Sequence, residues 1–155
     1  MNLAELQNNL IGEWTGNNLL RLSWLTPSDF HSRSRVTISP VVRDKFLTIN
    51  YTWSHEDTPH EGLIFLGYHN HQRIVTAAWA DSWHMSGKLM SCKGTIDEAG
   101  TIDVRGFYEA PPDPDWGWRI QITSTEGQIL QITMYNCPPE GAEELAVQAD
   151  YHRAS

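Results

Sequence analysis

The tetrapeptide Asp81-Ser82-Trp83-His84 gathers the three residue types of a hydrolytic triad into one short stretch. A hydroxyl nucleophile, an imidazole base and an orienting carboxylate work as a unit only within about 2.6–3.2 Å of one another. On an extended strand, Asp81 and Trp83 would face one side while Ser82 and His84 faced the other. The spacing therefore favours a second reading, in which Asp81 and Ser82 satisfy backbone donors at a corner of the fold. Asp81 is still the carboxylate of greatest chemical interest, because it follows the apolar face of Trp79 and is expected to be partly desolvated. A hydrolase-type enzyme built here would use Asp81 or His84 as its acid or base.

The histidines suggest a second chemistry. His69 and His71 are two apart, with His55 and His60 nearby in sequence, and two imidazoles on one strand face can chelate a metal. These two lie in a polar turn, and no carboxylate follows at a metal-site spacing, so solvated histidines and no metal are expected. Cys92 and Cys137 match no metal spacing and read as reduced, buried thiols. Gly62 and Gly67 lie within or beside strands and form no phosphate loop, and no cofactor is expected. A haem-binding barrel would need an axial histidine, for which only His152 lies on a late strand.

Aromatic residues make the third set. Tyr51, Trp53, Phe65, Tyr68, Trp79, Tyr108, Trp118 and Tyr135 recur along successive segments. Aromatic walls with a few polar groups, such as Asp81, Arg105, Arg119 or Tyr135, suit a pocket for a flat or amphipathic molecule. The expected ligand-binding residues are Tyr51, Trp53, Tyr68, Trp79, Asp81, His84, Trp118 and Tyr135. The competing reading is that these aromatics simply fill the interior.

Positioning such residues is the task of a period-two chain. Leu47, Ile49, Tyr51 and Trp53 alternate with polar residues, as do Ile102, Val104 and Tyr108, and Trp118, Ile120 and Ile122. Turn-forming residues recur about every ten positions, and no crossover-length helical pattern intervenes. Ten strands are expected, near 11–25, 33–42, 45–54, 61–68, 73–81, 87–96, 101–109, 116–125, 128–137 and 144–153. So many twisted strands are best accommodated by closure, which removes exposed edges. The expected fold is all-β, a closed antiparallel up-and-down barrel filling one domain over residues 1–155, with a two-sheet sandwich as the alternative. Asn2 and Glu5 predict a capping box on a short helix whose Leu3, Leu6 and Leu10 share one face. The proline-rich run 110–115 and the break at 137–141 are expected to be loops.

Gly12-Glu13-Trp14, placed just after that helix, resembles the opening of calycin barrels, the group holding lipocalins and fatty-acid-binding proteins. The resemblance implies that Trp14 packs across the closed end against Arg153 on the last strand. Phe46-Leu47, Glu61-Gly62, Gly67-Tyr68, Trp79, Asp81-Ser82, Gly94-Thr95 and Asp97 are similar to a lipocalin-like bacterial family, domain of unknown function 1579. That likeness covers roughly residues 10–153 and departs at His69, where Asp is expected after Gly-Tyr. It implies a barrel and no established activity.

Composition sets the outer limits. Lys plus Arg is 11 against 19 Asp plus Glu, a net charge of −8 that a phosphate backbone would repel, so no nucleic-acid partner is expected. No apolar run approaches the roughly 18 residues of a membrane helix. The N-terminus lacks a basic start and an apolar segment of signal type, so a cytoplasmic location with no membrane partner is expected. The favoured function is binding a small apolar or aromatic molecule in the barrel lumen. An enzyme in the same pocket and a surface or homodimeric interaction module are the alternatives.

Overall fold

The computed structural model describes residues 1–154, so Ser155 lies outside the described residues. A helix α1 (Leu3–Leu10) precedes ten strands: β1 (Gly12–Arg21), β2 (Asp29–Val41), β3 (Phe46–His55), β4 (Thr58–His69), β5 (Ile74–Asp81), β6 (Met90–Ile96), β7 (Ile102–Ala110), β8 (Asp113–Thr125), β9 (Ile129–Cys137) and β10 (Glu144–Arg153). Each strand pairs antiparallel with its sequence neighbours, and β1 pairs with β10 from Trp14↔Arg153 to Leu20↔Val147. The sheet is therefore a closed barrel, as expected. Among the described residues, no helix is long and apolar enough to cross a membrane.

Alternation decides which face is inside. Leu47, Ile49, Tyr51 and Trp53 point inward from β3, and Ile120, Ile122 and Trp118 from β8, all nearly inaccessible. Their neighbours, such as Asn50 and Thr52, are exposed. The barrel's two ends differ. At one end α1 lies with Leu3, Leu6 and Leu10 buried. Its capping box is complete: Glu5 N donates to Asn2 Oδ1 at 3.0 Å and Asn2 N donates to Glu5 Oε2 at 2.9 Å. The Trp14 indole donates to Leu10 O at 2.9 Å, and the Arg153 guanidinium lies over its ring, 4.1 Å from the centroid. Arg153 also donates to the carbonyls of Asn8, Asn9, Ile11 and Gly127, so it satisfies helix-end acceptors that have no helical partner. Gly12 has φ +135°, and a Cβ there would collide with the Arg153 guanidinium. That close approach explains the glycine of the Gly-x-Trp opening.

The proline-rich run is not the surface loop expected of it. Only Pro111-Pro112 form the turn; β8 starts at Asp113, opposite Ala110, and runs through Pro114. Proline is tolerated because this is the outermost end of a hairpin, where the missing N–H removes no ladder bond from the barrel body. The opening strand likewise stops at Arg21 rather than near 25, where residues 22–28 turn back to β2.

Candidate functional site

The end opposite α1 holds the 22–28, 56–57, 82–89, 111–112 and 138–143 connections, and here the inward aromatics meet a buried carboxylate. Asp81, the last residue of β5, is 4% exposed. Its Oδ2 accepts from the Tyr51 hydroxyl at 2.6 Å and from Trp53 Nε1 at 3.2 Å. Its Oδ1 accepts from the backbone N–H of Trp83 at 2.8 Å and of His84 at 3.0 Å. Tyr51 OH in turn accepts from Trp79 Nε1 at 2.9 Å. Burial, then the Asp81 charge, push the Tyr51 phenol well above its ordinary pKa, so it remains the donor. Gly62 makes this reach possible, since it lies opposite Tyr51 and a Cβ would strike the phenol ring.

The expected corner role of Asp81 is what the geometry displays, with one difference. Strand geometry ends at Asp81, so the simple alternation expected for residues 81–84 does not apply. Ser82 faces outward, where its Oγ lies 2.9 Å from His60 Nδ1 and accepts from Glu61 N at 3.1 Å. The two Asx-type bonds turn the chain, and His84 swings inward among four indoles. Its ring centroid lies 4.8 Å from that of Trp83, 5.4 Å from Trp118 and 5.6 Å from both Trp53 and Trp79. Ser82, His84 and Asp81 therefore form no triad. Burial in this cage pushes the His84 pKa down to about 4, against an opposing pull from the Asp81 charge.

A cavity of about 580 Å³ adjoins the cage, walled by Trp79, His84, Met85, Met90, Tyr108 and Trp118. It opens where β6 and β7 part: their ladder joins Lys93–Ile96 to Ile102–Arg105, and β7 continues to Ala110 without a β6 partner. Leu89 and Phe107, 75% and 62% exposed, flank the mouth beside Lys88 and Glu109. The indoles of Trp79 and Trp118 are nearly parallel, 9° apart with centroids at 5.2 Å. His84 and Trp118 also border a smaller cavity of about 90 Å³ on the Leu22 and Trp83 side. The Trp118 Nε1–H is buried without a partner, as are Trp116 Nε1 and His55 Nδ1. A further hollow of about 540 Å³ runs along the outer wall by Glu61, Leu63 and Ala80, away from the unpartnered buried groups.

Of the eight expected ligand residues, six converge here: Tyr51, Trp53, Trp79, Asp81, His84 and Trp118. Tyr68 lies at the other end, near Asn2 and Arg73 under α1. Tyr135 stands on the outer face beneath Arg119, whose guanidinium is 5.5 Å from its ring and pairs with Asp103 at 2.6 Å and Glu143 at 3.0 Å. Arg105 is also external, over Phe107. These histidines do not converge: His69 ends β4 and His71 lies in the turn that follows, both exposed, and His55 and His60 lie near the opposite end. No group of three or more metal-ligating side chains occurs among the described residues. His152, the one candidate for an axial ligand, is exposed on β10. The cavity-wall residues Met85, Met90 and Tyr108 and the lips Leu89 and Phe107 were outside the expected site. Phe107 did carry a signal, because it shares the outward phase of Arg105 and Glu109 and so breaks the polar alternation of its strand.

The fold recurs in solved structures. The protein Rv2717c from M. tuberculosis has a TM-score of 0.69 at 17% identity, with 99% of this chain and 98% of that one covered. The S-type phycobiliprotein lyase CPES from Guillardia theta has a TM-score of 0.66 at 15% identity, with 100% and 94% covered. At these identities the likeness concerns the fold alone. No curated protein matches the sequence. A family model described as protein of unknown function (DUF1579) matches residues 4–153, and the chain belongs to that family.

Proposed function

We propose that this protein binds a small, flat, largely apolar molecule in the cavity walled by Trp79, His84, Tyr108 and Trp118. The observation that carries the reading is the contrast between the two sides of the indole cage. Behind it, the Asp81 carboxylate accepts four hydrogen bonds and has no lone pair left for a substrate. In front, His84 and Trp118, whose buried N–H has no partner, border about 580 Å³ of space. A buried donor left unsatisfied costs about 1–3 kcal/mol, which a ligand acceptor would recover. The volume falls within the roughly 300–1,000 Å³ usual for small-molecule sites. That a phycobiliprotein lyase is built on the same fold is consistent with this use of the barrel.

An acid–base enzyme is less well supported, because Asp81 is saturated and Ser82 faces away from His84. Native mass spectrometry of freshly purified protein tests the binding reading. An adduct that disappears on denaturation is the expected result, and a protein bare of adduct that also takes up no added aromatic would contradict it.

A further inference from the structure

The chemistry of the cavity narrows its ligand class, an inference that rests on the binding reading above. We infer that the inner end takes the uncharged carbonyl of a planar aromatic molecule, and not a carboxylate. The first reason is the Trp118 indole. It is only 7% exposed, its Nε1–H has no partner, and indole can donate but not accept. An acceptor atom on a ligand seated against this indole would complete it.

The second reason is the placement of cations. Arg153 is at the far end of the barrel, committed to the α1 carbonyls and the Trp14 face. Arg21 and Arg119 are on the outside, in ion pairs with Asp29 and with Asp103 and Glu143. Lys88 stands exposed at the mouth beside Glu109, and Arg105 is external, over the ring of the lip residue Phe107. A carboxylate driven against Trp79 and Trp118 would therefore be desolvated without a counter-charge, on the same side of the barrel as the buried Asp81. His84 offers no cation either, since burial holds it neutral down to a pKa of about 4. A neutral imidazole carries one N–H and one lone pair, which suits an uncharged polar edge such as an amide or lactam.

The third reason is shape. Trp79 and Trp118 lie nearly parallel and offset, so the aromatic wall they form favours a flat ring over a branched or flexible chain. Met85 and Met90 complete the wall with polarisable thioethers that adapt to aromatic edges.

Three probes of one shape separate the possibilities: 2-naphthamide, 2-naphthoate and naphthalene, titrated against the intact protein at pH 7 by fluorescence. The amide is expected to bind at least about tenfold more tightly than the naphthoate. W118F should weaken the amide about tenfold and leave naphthalene within about threefold. Should W118F fail to fold, the amide-to-naphthoate ratio on the unaltered protein decides alone. Naphthoate binding as tightly as the amide, with that affinity lost in K88A, would put a charged head group at the mouth. That outcome overturns the inference and leaves the cavity's binding role standing. Failure of all three probes would instead count against the binding reading itself.

Discussion

Asp81 shows how one residue can be both the most suggestive and the least available chemically. Its four accepted hydrogen bonds tie β3, β5 and the 82–89 connection together at the barrel's open end. Removing a partner from a buried charged group costs more than an ordinary hydrogen bond, so Y51F should destabilise the protein by about 1–3 kcal/mol in urea denaturation. D81N should cost at least as much, because an amide NH₂ would face the Tyr51 or indole donors. His84 gives a pH signature whose sign is fixed. Its folded pKa of about 4 lies below the roughly 6.5 of an unfolded chain, so the unfolded state binds more protons between these values. Stability should therefore fall as pH drops from 6.5 towards 4, by about 3 kcal/mol at most, and H84F should flatten that part of the urea-midpoint profile. The sequence made the corner role of Asp81 legible through its residue type and its place after an apolar strand. It left the inward turn of His84 hidden, because two side-chain-to-backbone bonds break the strand alternation on which the reading relied.

The elements divide in the same way between what period and spacing declare and what the folded chain decides. The helix declares itself through Asn2, Glu5 and three leucines on one face, and the strands through alternation. Boundaries were less legible at Pro111–Asp115, where proline signals a loop but a hairpin tip admits a strand. The face of β8 was undetermined in sequence, since Trp118 and Arg119 compete for the interior. Ion pairing outside the wall, with Asp103 and Glu143, settles it. Arg153 is the residue on which α1 depends, joining the last strand to the helix carbonyls and the Trp14 ring. R153A should lower stability by about 2–3 kcal/mol and speed amide exchange in residues 3–10. R153K should recover only part of this, because an ammonium cannot reproduce the guanidinium fork.

At the scale of the whole molecule, β1 closes on β10, and the partial parting of β6 from β7 leaves one opening through which the proposed ligand would enter. Closure was readable from ten turn-punctuated strands, whereas the cavity was not. A cavity depends on how far apart two paired strands drift and on which side chains meet across the lumen, quantities that no local pattern encodes. The central claim is that this opening leads to a binding site beside Trp79 and Trp118. The chain has seven tryptophans, so its seven indole N–H signals report on both ends of the barrel in one ¹⁵N-resolved NMR titration. Adding 2-naphthamide should shift the Trp118 and Trp79 signals in a saturable manner and leave Trp14, packed under Arg153 at the closed end, unmoved. Shifts confined to Trp14 or Trp24, or no saturable shift at any indole, would contradict the account.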